Sequence, residues 1–198
     1  MKIFFIAFGV IIVIAIGSFF LLNLSKDKDV GLHLDQGKEG VSPSMMIDSN
    51  NDGVGLPPDP GKGGEQTLLG IDSDNDGVRD DIQRYIYFTY GIDGVIPVAL
   101  KEVAKQWQLV LEHSDNTKIS FNNATKMARH GECLDYFEGD EAGPILAALG
   151  AEVLNTDERS LAYIQYNENL AGEIIPGKAL ADWKNSCSFD VEAIRAQQ

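Results

Sequence analysis

Between Ser25 and Leu69 the chain contains no Phe, Trp or Tyr, while it holds 8 Gly and 4 Pro. A stretch of that composition cannot bury enough apolar surface to offset its conformational entropy. Any core must therefore be built from about residue 70 onward. That length suffices for a small domain, one that gains from a staple such as a disulfide or a metal. The net charge of −14 is spread along the chain: residues 25–83 carry 13 acids against 5 bases, and residues 84–198 carry 17 against 10. Neutralising phosphates needs a basic face, which neither half supplies, so nucleic acid is not an expected partner.

Five of the nine Phe precede residue 21, within an uncharged run from Ile3 to Leu22. About 20 apolar residues at helical rise match the hydrocarbon thickness of a bilayer, and residues 1–24 read as a transmembrane signal-anchor helix. The competing reading is a cleaved secretory signal, for which Ala15-Ile16-Gly17 offers small residues at the recognition positions. The run has no following Cys for a lipid anchor and no internal acid of the kind a pilin-like helix carries. Residues 25–47 alternate charges with Gly and show neither helical nor strand periodicity. They read as a flexible linker of roughly 25–30 Å reach, with His33 a solvated residue lacking ligand partners. The expected arrangement is membrane-anchored through the N-terminal helix, with the bulk of the chain periplasmic or at the cell surface and its protein partner unassigned.

The strongest chemical signal is the segment Asp72, Asp74, Asp76, Gly77, Val78, Asp80 and Gln83, a D-x-D-x-D-G loop. Carboxylates at positions 1, 3 and 5 with Gly at 6 curl hard oxygen ligands around one point, and the position 7 carbonyl adds another. Calcium suits such a site, because it accepts six to eight oxygens at irregular angles. Magnesium demands a stricter octahedron, and the lack of His or Cys disfavours zinc and copper. The alternative is a solvated acidic turn, since Asp, Asn, Ser and Gly are also turn residues. A degenerate copy lies upstream at Asp48, Asn50, Asp52, Val54 and Asp59, with Leu56 where the downstream loop has Asp80. It reads equally as a second calcium loop or as a Pro/Gly-rich turn. Together the two loops define a stem over residues 48–83.

With apolar Val78 at position 7 and Ile82 at position 11, the downstream loop resembles the calcium loops of thrombospondin type 3 repeats and their relatives in bacterial exported proteins. An EF-hand prefers its apolar residue at position 8. The resemblance covers about a dozen residues and implies side-chain ligation by Asp72, Asp74, Asp76 and Asp80 with backbone ligation by Val78. Gln83 departs from it: position 12 usually carries Asp or Glu. A neutral amide there lowers the expected affinity toward a dissociation constant of about 10⁻⁴ M or weaker, unless Asp81 swings in or water fills the gap. No family resemblance extends to residues 84–198.

Residues 84–198 read as an all-α bundle of five or six helices. The first, entered directly from the loop at Asp80, has acids at its start and Gly91 at its end. Pro97 stands in the first turn of the next, where Leu100, Val103, Ala104, Trp107, Val110 and Leu111 recur at helical spacing. A third runs over residues 120–137, interrupted by Gly131, and a fourth, opened by Pro144, spans 143–154. Asn155 or Thr156 caps a fifth that passes Leu161, Ile164 and Glu168 and stops before Gly172. A last short helix over 180–185 carries Trp183.

Cys133 and Cys187 are the only thiols. In an exported chain they read as a disulfide; the other readings are free structural thiols, or His130 and Cys133 acting as base and nucleophile or as half of a zinc site. Glu138, Asp140 and Glu141 form an acidic cluster in a Gly-flanked turn that reads as solvated, and the glycosylation sequon at Asn123 falls in an expected helix. With no catalytic constellation in view, the leading expectation is a calcium-binding, membrane-anchored binding or structural protein. The alternative is a small exported hydrolase using acids such as Glu132, Glu138 or Glu168.

Overall fold

The computed structural model describes residues 55–197. The expected transmembrane helix, the linker, and Asp48, Asn50, Asp52 and Val54 of the degenerate loop lie outside the described residues. Among those described, no helix is long and apolar enough to cross a membrane.

The described chain is all-helical. It contains six α-helices and no strand: α1 (Asp80–Tyr90), α2 (Val95–Glu112), α3 (Thr117–Glu138), α4 (Ala142–Val153), α5 (Asp157–Asn169) and α6 (Val191–Arg195). Turns of 3₁₀ helix cover Gly61–Glu65, Gly139–Glu141 and Leu180–Ser186. Local chemistry sets several ends. Gly91 leaves α1 with φ 86°, a conformation open to glycine. The Asn116 side chain accepts from Ile119 N at the start of α3, and Thr156 accepts from Arg159 N at the start of α5. Asp190 accepts from Glu192 N and Ala193 N to open α6, a helix the apolar pattern does not announce. The 180–185 segment is 3₁₀ rather than α.

Helix α3 runs through Gly131 without a break, against the expected interruption. A mid-helix Gly costs only about 1 kcal/mol. The next three residues, Glu132, Cys133 and Leu134, are all buried, and their packing holds the helix across that point.

Helix α2 is the axis of the bundle and touches each of the other five α-helices. Its Ala99, Leu100, Val103, Ala104 and Leu111 form one core with Leu134 of α3 and with Ala142, Leu149 and Val153 of α4. A second cluster joins Val110, Ala124 and Tyr166. Trp107 packs against both and meets the Tyr163 ring at 5.0 Å, the anchoring place its spacing predicts. The main core also contains Val78, Ile82 and Ile86. The acidic loop is thus built onto the bundle, because its apolar positions 7 and 11 are core residues. Cys133 on α3 is bonded to Cys187, with Cα atoms 4.8 Å apart.

Candidate metal centre

Each turn of the Asp72–Gln83 loop is closed by its own carboxylates. Asp72 accepts from Asp76 N (3.2 Å) and Gly77 N (2.9 Å), Asp74 from Asp76 N (3.3 Å), and Asp76 from Val78 N (2.8 Å). Asn75 and Gly77 have φ of 58° and 88°, so the backbone reverses twice within three residues. Asp80 closes the loop: its N–H donates to Ile71 O at 2.8 Å and its Oδ1 accepts from Ser73 N at 2.9 Å.

This curl brings carboxylate oxygens of Asp72, Asp74 and Asp80 within 4.8 Å of one another. Asp80 is 1 % exposed, so one carboxylate of the trio is taken almost fully out of water. Like charges gathered this way repel strongly, and the site is suited to hold a cation. Its donors are hard oxygens alone, which fits calcium better than zinc or copper. Asp76, expected as a fourth side-chain ligand, is outside that trio. On the solvent side, Asp72 and Gly77 line an open groove of about 390 Å³ with Lys105 and Glu112, which leaves an approach for an ion.

Gln83 lies against the trio, its Nε2 donating to Asp74 Oδ2 at 3.4 Å, while its buried Oε1 has no hydrogen-bond partner. Asp81 is not free to take its place. Arg79 grips both Asp81 oxygens, Nε to Oδ1 and Nη2 to Oδ2, each at 2.7 Å.

Arg79 belongs to a second layer that sequence reasoning misses. It is 1 % exposed, and it also donates to Val153 O (3.1 Å) and Glu152 O (3.2 Å), satisfying carbonyls at the end of α4 that no helical N–H reaches. Arg159 of α5 is 0 % exposed. It donates to the carbonyls of Gly64, Thr67 and Leu68, and so clamps the segment that leads into the loop. Burial, together with the Arg79 charge, holds the Arg159 pKa below its ordinary value. The available signal was weak: Arg159 is the only Lys or Arg between Arg129 and Lys178, but a single Arg on a helix is normally solvated.

The remaining candidates are scattered. Asp59 of the degenerate loop accepts from Gly61 N at 2.8 Å and is exposed. Cys133 is bonded to Cys187, which removes the thiol that the His130 and Cys133 readings require. Asn123, of the sequon, is buried and donates to Leu109 O. Glu132 is buried and fully engaged. It accepts from Lys178 N (2.7 Å) and Ser186 Oγ (2.6 Å), and pairs with Arg129 at 2.9 Å. Burial pushes its carboxyl upward, but those hydrogen bonds and the charges of Arg129 and Lys178 outweigh burial and leave its pKa below the ordinary glutamate value.

Comparison with protein-family models, curated proteins and solved structures finds no match to this chain.

Proposed function

We propose that the Asp72–Gln83 loop binds calcium, and that the chain is a membrane-anchored, extracytoplasmic protein whose helical domain serves as a binding or structural module. The observation that carries this reading is the convergence of the Asp72, Asp74 and Asp80 oxygens within 4.8 Å, one of them buried. Ligands are assigned to those three, to Asp76, to the Val78 carbonyl and to Gln83, in a resemblance to thrombospondin type 3 loops. Because Val78 and Ile82 are core residues, a cation here tightens the whole bundle rather than a peripheral turn.

The location rests on three supports. The uncharged run Ile3–Leu22 has the length of a membrane span. The Cys133–Cys187 bond belongs to an oxidising compartment. A neutral ligand at position 12 sets the affinity to about 10⁻⁴ M, useful at millimolar external calcium and useless in cytosol. The hydrolase alternative gains nothing from the geometry, since Glu132, the only buried acid among its candidates, spends both oxygens on structure and is held ionised.

Calorimetric titration of the purified full-length chain is the direct test. Calcium heat saturating in the submillimolar to millimolar range, accompanied by a thermal shift, is expected. Silence in both at 5 mM calcium would leave the loop an acidic turn and end the calcium reading.

A further inference from the structure

Gln83 combines two properties that ordinarily exclude each other. The residue is 5 % exposed, and its buried amide oxygen has no hydrogen-bond partner. A buried carbonyl left unpaired is destabilising, so such an atom calls for a role. Its place supplies one. The amide sits against the acidic trio with its nitrogen, not its oxygen, toward Asp74, at a long 3.4 Å. An amide NH₂ has no lone pair to offer a cation, whereas the amide oxygen is a normal calcium ligand. A half-turn about the terminal torsion exchanges the two atoms and moves nothing else, and that torsion is soft. The turn gives up one long hydrogen bond to Asp74. The oxygen gives up nothing.

Resting on the calcium reading above, we propose that Gln83 is a reversible ligand that turns over with the cation. Without calcium its NH₂ donates to Asp74 and offsets part of the repulsion among the carboxylates. With calcium its Oε1 faces the ion as the position 12 ligand. A glutamate here would bind more tightly but would add a further buried negative charge to a loop that already gathers three. The glutamine therefore trades affinity for a loop that stays closed in both states, which suits a site that loads and releases calcium as its external concentration changes. The Asp81 carboxylate, next to the loop in sequence, is locked on Arg79, which leaves position 12 to Gln83.

The test uses the full-length chain with calcium as the probe. In wild type, the Gln83 side-chain ¹⁵N–¹H pair, assigned by its loss in Gln83→Glu, shifts on calcium addition. Gln83→Met, of similar volume but without donor or acceptor, binds calcium about tenfold more weakly. Gln83→Glu binds more tightly and melts at a lower temperature than wild type when calcium is withheld. If wild type binds calcium while the Gln83 amide signals stay fixed and Gln83→Met keeps wild-type affinity, the turnover is wrong and the calcium site stands. If wild type binds no calcium, both fall. Should Gln83→Met fail to fold, the amide signals of wild type decide the matter.

Discussion

Arg79 and Arg159 share one acceptor: the Asn155 side-chain oxygen lies 2.5 Å from Arg159 Nη1 and 3.5 Å from Arg79 Nη2. Two buried guanidinium groups are brought together by an amide between α4 and α5. One holds the acidic loop to the end of α4, and the other holds the segment before the loop to α5. Among the described residues, Asp81 is the one acid that pairs directly with this cationic pair; besides Asp81 and Asn155, the acceptors are backbone carbonyls, which suit the several fixed donors of a guanidinium.

Arg159→Met is expected to cost about 3 kcal/mol of stability, because the carbonyls of Gly64, Thr67 and Leu68 lose a buried partner together. Arg159→Lys should recover little, since one ammonium cannot serve three carbonyls and Asn155 at once. Chemical denaturation of both variants checks this. A lysine variant as stable as wild type would show that charge, not the donor fork, is what matters.

Gly70 meets the same pair. A Cβ placed there lies 2.5 Å from Arg79 Cδ and 2.9 Å from Arg159 Nη2, and the residue has φ +66°. Gly70→Ala should therefore cost more than 2 kcal/mol. Gly91→Ala, with φ +86°, ψ −175° and nothing within 4 Å, carries the conformational penalty of about 1–3 kcal/mol without the clash. Equal melting temperatures for the two variants would refute the steric account.

Calcium at 1 mM and an affinity of about 10⁻⁴ M adds about 1.4 kcal/mol by mass action. Asp80→Asn keeps an acceptor for Ser73 N but removes a charge from the trio. With affinity lowered about tenfold, the calcium-dependent gain falls to about 0.4 kcal/mol. Melting curves with and without calcium measure the difference, and an undiminished shift in the variant would place the ion elsewhere.

Reduction of the Cys133–Cys187 bond, or Cys187→Ser, releases a separation of 54 residues. The loop-closure model gives a loss of about 4 kcal/mol. Glu132, which holds Lys178 and Ser186 beside the bond, keeps part of the C-terminal segment in place after reduction. Denaturant midpoints with and without reductant test the size of the loss, and unchanged midpoints would contradict it.

Glu132 also sets an acid limit. Its folded pKa lies below its ordinary value, so the stability it contributes is full above the unfolded value of about 4.3 and disappears as pH falls through the lower folded value. Glu132→Gln should cost about 2 kcal/mol at pH 7 and progressively less below about pH 4. Unfolding of both proteins at pH 7 and pH 3 gives the comparison. A gap of constant size across that range would assign the loss to packing alone.

Much of this arrangement is written in short stretches of sequence. The D-x-D-x-D-G run marks the acidic loop, Gly91 and Thr156 mark helix ends through backbone chemistry, and the only two cysteines become each other's partners once both lie within reach. These depend on neighbours a few residues apart or on there being no alternative. The face that α5 turns inward is a different matter. Its apolar Leu161 and Ile164 are exposed, while Arg159 and Tyr166 are buried, because the helix is rotated by what Arg159 finds in the carbonyls of Gly64, Thr67 and Leu68, more than ninety positions away. The same holds for Arg79 on the end of α4 and for Glu132 under Lys178 and Ser186. A charged side chain reads from sequence as solvated, since burying it alone costs several kcal/mol. Only the folded chain, by bringing distant carbonyls and hydroxyls to those charges, makes their burial favourable and decides which face of each helix is the inside.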